Sequence, residues 1–576
     1  MRIFCWLSCL CLLAALATSV GAAAPTVRAD LLFVNGNVRT LDAARPQASA
    51  VAVAAGRILR VGTDAEVRAM AGSDARIVDL HGNTLLPGLA DTHVHPAIGE
   101  YFNRRLCNVA GYTLEENFTR LARCAATAPA GDWVVAYGWY FTDNPHLSEV
   151  TLAQLDAAVP ERKLLLIARD SHTVWVNSKT LAAYGITADT ADPDGGSIGR
   201  DPVTKAPNGV LRDAAAWRVL LDVQHHSAYS VSTAELFLTA IPYLNSLGIT
   251  SLFEALGDDD IEAAYQALDR AGQLSMHVSI GFAVAPDTYR KMIPKIAGKR
   301  AHQTPHVTVN FVKVLADGNG EDNLANILPG RGRPPMATHG YYTQPQMNEL
   351  VRLAEAHGLS VYVHVIGDGT ARQVIDAVAE ARRHGPCPRC RHTLTHLQWI
   401  DPADMIRMKE LHMIANLQEG WLAPRAIGGP AGYDYLKDTA AGPMGPALAA
   451  AMYPFRSLHE AGVPIAAGSD WFYTDENPWN DMEVGATSRD PGDAASTPMV
   501  PAQTLDVATL LAARTRVAAY QLFLERSTGT IAVGKRADLV VVDRDVLAVP
   551  PSTLHATRVL MTVFNGRVVH ELAAGH

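Results

Sequence analysis

Six side chains that can bind a metal ion or move a proton stand at the ends of otherwise apolar runs. His93 and His95 close "LLPGLADTHVHP", Lys313 sits in "FVKVLADG", His364 in "VYVHVIGD", His396 in "LTHLQ" and Asp470 in "AAGSDW". Alternation along a strand turns His93 and His95 to the same side. Taken singly each has a bland reading: two polar residues on an exposed face, a satisfied strand histidine, a surface lysine. Lys313 and His364 resist that reading, because an unpaired polar group inside so apolar a run is costly. Neutral imidazoles suit zinc and neighbouring divalent ions, and Asp470 adds a hard oxygen ligand. A lysine ammonium cannot ligate, but a neutral amine can add carbon dioxide and become a carbamate. Such a group could bridge two ions held roughly 3.5–4 Å apart. Ions there would ionise water near neutral pH and polarise a carbonyl, with Asp470 taking the proton and handing it to a leaving nitrogen.

These residues need a scaffold that brings strand ends together. Strand-like apolar runs at 248–256 ("GITSLFEAL"), 306–318, "LSVYVHVIGDG", "HTLTHLQWI", "MIANLQEGWL" and "VPIAAGSDW" alternate with helical stretches, the last helix at about 503–515. Strands apolar throughout and separated by helices imply a buried parallel sheet. Their number predicts an α/β fold closed as a (β/α)8 TIM-type barrel over 87–519, whose C-terminal strand ends form the active face. An open doubly wound sheet is the alternative, and no GxGxxG turn speaks for it. The segment at about 100–235 breaks the barrel rhythm and reads as an insertion covering the site. At the two ends, "DLLFVNGNVRTLD", "AVAVAAGRILRVG", "GTIAVGKRADLVVVD" and "RVLMTVFNGRVVH" each read as paired short runs around a turn, Asn35-Gly36 and Asn565-Gly566 among them. They predict one small β-sandwich composed of 25–86 and 520–576.

The first 24 residues run from Arg2 through an apolar stretch to small residues ending at Ala24, the order of a secretory signal peptide. An uncleaved anchor is the alternative. Export predicts a secreted or periplasmic protein with no membrane attachment after cleavage. Beyond the leader remain Cys107, Cys124, Cys387 and Cys390, an even number whose local spacing suggests the pairs 107–124 and 387–390. "CPRC" lacks the second CxxC of a zinc site and the surround of a redox motif, so a surface disulfide or two plain thiols is expected. A net charge of -9 on 576 residues gives no reason to expect nucleic acid or anionic membrane. A small-molecule substrate is the expected partner, and a homodimer is an admissible assembly.

With "PGLADTHVHP", "GITSLFEA", "VKVLADG", "VHVIGDG", "THLQ", "GSDWFYTDENPW" and "GTIAVGKRADLVVVD" in this order, the chain resembles the amidohydrolase superfamily. Within it the likeness is to amidohydrolase family 3, the YtcJ-like branch that includes N-substituted formamide deformylase; "DSHTVWVNSKTL" resembles a further stretch of that branch. The resemblance spans nearly the whole mature chain. It implies a metal-dependent barrel with a small β-sandwich, hydrolysing carbon–nitrogen bonds other than peptide bonds. His93 and His95 would bind a first metal, His364 and His396 a second, Lys313 would be the carbamate bridge, and Asp470 a first-metal ligand and proton shuttle. Zinc is the expected metal, and a single ion is the alternative. The chain departs from the family at "DGNGEDNLANILPGRGRPP", where a serine-rich stretch is usual, at Gly369 and Thr370, and at Thr395, where a glutamate is common.

Weaker expectations concern the substrate. His172 and Asn177 could reach it from the insertion, although Asn177 could equally cap the helix that follows. Trp139, Tyr140 and Trp471 could line an apolar pocket or be ordinary core. Asp317 and Asp368 could orient the ligands. A deaminase or a hydrolase of cyclic amides or lactones on the same barrel is the alternative activity, against which Lys313 speaks, since such deaminases commonly use one metal. A non-catalytic binding protein would be expected to have lost Asp470 or one of the histidines.

Overall fold

The computed structural model describes residues 27–109, 114–139, 150–168, 173–193, 196–318, 325–329, 340–424, 445–472 and 476–573. The leader lies outside them. Among the described residues no helix is long and apolar enough to cross a membrane.

Eight parallel strands follow one another around a barrel in chain order: Leu89–Val94, Ile249–Gly257, His277–Val284, Val307–Leu315, Ser360–Val365, Thr393–His396, Ile414–Leu417 and Ile465–Ala467. Every consecutive pair is hydrogen-bonded in parallel register. The third strand, His277–Val284, is absent from the runs read in the sequence. Its polar His277 and Ser279 alternate with apolar residues, so it does not stand out as an apolar block.

The seam between the last strand and the first closes by single contacts. Thr92 Oγ1 donates to Ala467 O (2.7 Å), and Asp470 N donates to His93 O (2.7 Å). Gly468 permits this approach, since a Cβ there would lie 2.3 Å from the His93 backbone nitrogen.

Alternation sends Phe311 and Lys313 of the fourth strand, and Tyr362 and His364 of the fifth, into the bore. Phe253, Phe311 and Tyr362 fill it, with ring centroids 4.3 Å apart for Phe253–Tyr362 and 5.1 Å for Phe253–Phe311. This aromatic floor is closed below by Ala518 and Leu522, with Phe523 and Leu524 against them. Leu522, Phe523 and Leu524 thus pack with the barrel, not with the sandwich to which a boundary at 520 would assign them. The helix expected at 503–515 is two, Val507–Ala513 and Arg516–Gln521.

Between the first and second strands lies the insertion, with its own six-stranded mixed sheet spanning Cys107 to Asp213 and its own core around Trp139, Trp175, Leu164 and Leu166. A disulfide joins Cys107 to Cys124 and another Cys387 to Cys390.

The chain ends share a sheet: Thr84–Pro87 pairs antiparallel with Leu539–Val542. This six-stranded sheet and a four-stranded one from the N-terminal segment enclose Phe33, Val51, Leu85, Leu539 and Val563. Asn565-Gly566 turns a hairpin, both residues at positive φ. Asn35-Gly36 does not. Only Asn35 has positive φ (56°), and the strands on either side, Ala29–Val34 and Asn37–Arg39, belong to different sheets.

Candidate metal centre

All six residues read from the sequence lie toward the C-terminal end of the barrel strands or just beyond it. His93 and His95 lie with ring centroids 5.4 Å apart, His93 and His396 at 4.9 Å, and His364 and His396 at 4.4 Å. Asp470 Oδ1 is 3.5 Å from His93 Nε2 and 3.2 Å from His95 Nε2. One ligand atom each from His93, His396 and Asp470 lie within 4.8 Å of one another, all three residues buried. Lys313 is buried, its Nζ 5.2 Å from the Tyr362 ring centroid.

Two of these positions use a backbone shape that L-residues rarely adopt. His396 has φ 75° and Asp470 φ 56°. Successive residues of a regular strand face opposite ways, yet Thr395 and His396 both reach the centre. The left-handed turn at His396 is how the chain manages it, and strain of this kind gathers at functional sites.

Electrostatics follow from burial. Burial, and then the nearby Lys313 and neighbouring imidazoles, hold His93 well below the ordinary histidine range, and His396 likewise. Both are therefore neutral imidazoles, the ligating form. Burial also brings the Lys313 amine down to about 8, against an opposing pull from Asp470. His95 differs: burial pulls it down, but the neighbouring carboxylates of Asp470 and Glu254 outweigh this and raise it to about 9. Its buried Nδ1 has no partner at hydrogen-bond distance, and Glu254 Oε1 stands 3.7 Å away. A cation at Nε2 would replace a proton there and leave Nδ1–H directed at Glu254, a common arrangement for metal-bound histidine.

Neutral imidazoles gathered around a buried carboxylate, with Nδ1 of His93 and of His396 each engaged by a fixed partner, form a donor set that fits zinc and similar ions. His93 Nδ1 meets Thr395 Oγ1 (2.8 Å) and the Tyr362 hydroxyl (2.9 Å), and His396 Nδ1 meets Gln418 Oε1 (2.8 Å). Thr395, where a glutamate is common in the family, thus orients a histidine. Asp91 braces the seam, accepting from Ser469 Oγ (2.6 Å), Ser469 N (3.0 Å) and His93 N (3.2 Å). Behind it the wholly buried Arg514 donates to Glu419 and Asp481.

The sequence reading did not single out Glu254, Tyr362, Asn416, Gln418 or Trp421. Glu254 carried a usable signal, a carboxylate within "GITSLFEAL". Trp421 stacks on His396 at 4.9 Å with 6° between the planes, and Phe472 lies 6.0 Å from His95.

The weaker substrate residues fare differently. Asn177 spends its amide inside the insertion, accepting from Thr180 N and Leu164 N and donating to Val159 O and Arg162 O. It is a helix cap. Trp139 is packed into the insertion's core beside Phe118 and Trp175, and Trp471 is buried against Gly99 and Tyr243. His172 and Tyr140 lie outside the described residues. Asp317 accepts from Ile366 N and Gly367 N and so fixes the turn after His364, and Asp368 accepts from Leu328 N.

Residues 76–570 match the model of the amidohydrolase family, and the chain belongs to that family. It is a hydrolase acting on carbon–nitrogen bonds. It is 27% identical to Protein LONG AFTER FAR-RED 3 of Arabidopsis thaliana, over 89% of this chain and 87% of that one. It is 26% identical to N-substituted formamide deformylase of Arthrobacter pascens, over 94% and 98%. Its fold matches that of an uncharacterized metal-dependent hydrolase from Pyrococcus horikoshii, with a TM-score of 0.70 at 19% identity, covering 90% of this chain and 99% of that one.

Proposed function

We propose that this protein is an exported metal-dependent hydrolase cleaving a non-peptide amide or formamide-type bond. The observation that carries this reading is the convergence of His93, His396 and Asp470 in one buried cluster, with His95, His364 and Lys313 around it. His93, His95 and Asp470 would hold one ion and His364 and His396 a second, zinc being the ion this nitrogen and oxygen set suits. Divalent ions supply Lewis acidity toward a carbonyl oxygen and a lowered pKa for water.

The chain's own groups do the rest. The Asp470 carboxylate, held by the bond from its backbone nitrogen to His93 O, accepts a proton from water and returns it to the leaving nitrogen. Lys313, desolvated over the aromatic floor, is available as a neutral amine. Carbon dioxide adding to Nζ would form one N–C bond as one C=O π pair moves onto oxygen, would release one proton from nitrogen, and would leave a carbamate whose oxygens could serve as ligands. Trp421 and Phe472 supply apolar walls for the part of the substrate that is not reacting. Export is supported by the signal-like leader and by the two disulfides. The formamide-type bond is suggested by the name of the Arthrobacter pascens relative.

Metal analysis of the purified protein, with a screen of N-formyl and N-acyl amines for release of the carboxylic acid, tests the reading. Bound divalent ions and turnover of at least one class are expected. Ammonia release from amino-heterocycles without amide turnover would favour a deaminase instead.

A further inference from the structure

We propose that Asn416 is a positioning residue that fixes the ring tautomers of both His93 and His396. The inference rests on the metal reading above. Asn416 is fully buried in the seventh strand, Ile414–Leu417, and touches neither imidazole.

Its amide has only one admissible orientation. One end faces Thr92 O (3.2 Å), Thr92 Oγ1 (2.7 Å) and Gln521 Oε1 (3.2 Å). The Thr92 carbonyl can only accept, and the Thr92 hydroxyl proton is spent on Ala467 O. That end must be the NH2 group, which leaves Oδ1 to accept from Thr395 Oγ1 (3.1 Å) and Gln418 Nε2 (3.0 Å).

Two consequences follow by proton counting. Thr395 has one hydroxyl proton and gives it to Asn416, so toward His93 Nδ1 it can only accept. The Tyr362 hydroxyl donates to Thr92 O (3.0 Å) and is likewise left to accept. His93 Nδ1 therefore carries the hydrogen, and Nε2 presents a lone pair toward Asp470. On the other branch, Gln418 gives its NH2 to Asn416 and turns Oε1 to His396 Nδ1 (2.8 Å), which must then carry a hydrogen. One amide thus sets the ligating face of a histidine in each half of the centre. The wrong tautomer would present an N–H to a cation.

Zinc affinity of the full-length protein, measured by chelator competition, tests this. Asn416→Ala should weaken zinc binding about 10–100-fold, for the ions at His93 and at His396 together. Thr395→Val should weaken only the ion at His93, and Gln418→Leu only the one at His396. The visible absorption of the cobalt-loaded protein should shift in all three. Leu394→Ala, on the helix-facing side of the sixth strand, serves as the control that lowers the melting temperature without changing affinity. Unchanged zinc affinity in Asn416→Ala, or a loss no larger than in Leu394→Ala, overturns the inference. Should Asn416→Ala not fold, unchanged affinity in both Thr395→Val and Gln418→Leu overturns it equally. A wild-type protein that takes up no divalent ion brings down the metal reading, and the inference with it.

Discussion

Both ends of the barrel hold buried histidines, and they spend their nitrogens differently. Near the N-terminal ends of the strands, His392 accepts from Val361 N at Nδ1 (3.1 Å) while Nε2 meets Glu355 Oε1 (2.8 Å). His306 engages Asp269 through Nδ1 (2.7 Å) and Asn565 through Nε2 (2.9 Å), and His277 Nε2 meets Asp538 Oδ2 at 2.9 Å. At the opposite end, His93 commits Nδ1 to Thr395 and Tyr362 and turns Nε2 toward Asp470, while His396 commits Nδ1 to Gln418 and keeps Nε2 for a ligand. His277 and His392 are as buried as His93 and His396, and His306 is half-buried. The lone pair left over is what separates a structural histidine from a ligand.

Asp470→Asn attacks the outward-facing set most directly. With the fold intact by circular dichroism, kcat on the best amide should fall about 10²–10⁴-fold, the usual worth of a positioned proton-transfer group. A loss of only a few-fold would remove Asp470 from that role. Lys313→Ala should also inactivate the enzyme, and added formate, acetate or propionate should restore part of the rate by occupying the place of the carbamate. No restoration, with metal content unchanged, would count against carboxylation.

The other end should respond in stability and not in rate. His392→Ala leaves Val361 N–H and Glu355 short of a buried partner and should cost about 1–3 kcal/mol in urea unfolding, with kcat/KM unchanged. A rate loss like that of Asp470→Asn would erase the distinction between the ends. The smallest effect is expected at Asp538. Burial would raise its carboxyl, but His277, the Asn565 backbone N–H and Thr528 outweigh that and hold it below the ordinary range. A depressed carboxyl stabilises the fold fully above its unfolded value of about 3.9 and ceases to do so as pH falls through the folded value. Asp538→Asn should therefore lose stability at neutral pH and show a shallower decline below about pH 4, read from urea midpoints across the acid range.

The ligand residues were legible because each interrupts an apolar run, where a polar group demands an explanation. Glu254 interrupts one in the same way and could have been found by the same argument. Thr395 stood out only as a departure from the family, and Asn416 and Gln418 could not be found, since each is an ordinary residue in or just past a strand until the register of neighbouring strands places it beside a histidine. The third strand hid behind its polar alternation. Asn35-Gly36 misled because a turn signal marks a change of direction without saying which strand comes next. Trp139 and Asn177 show the limit of proximity in a motif: the insertion uses both for its own packing and capping.

The seam described above ties Thr92 to Ala467, 375 positions apart in the chain. A nascent polypeptide emerging from the ribosome carries His93 and His95 with the first barrel strand, but their carboxylate partner arrives only after the eighth. Fragments truncated before that point would hold paired imidazoles without Asp470, and a cation captured by them would be loosely kept. The centre therefore certifies a finished barrel: it comes into existence when the last strand reaches the first.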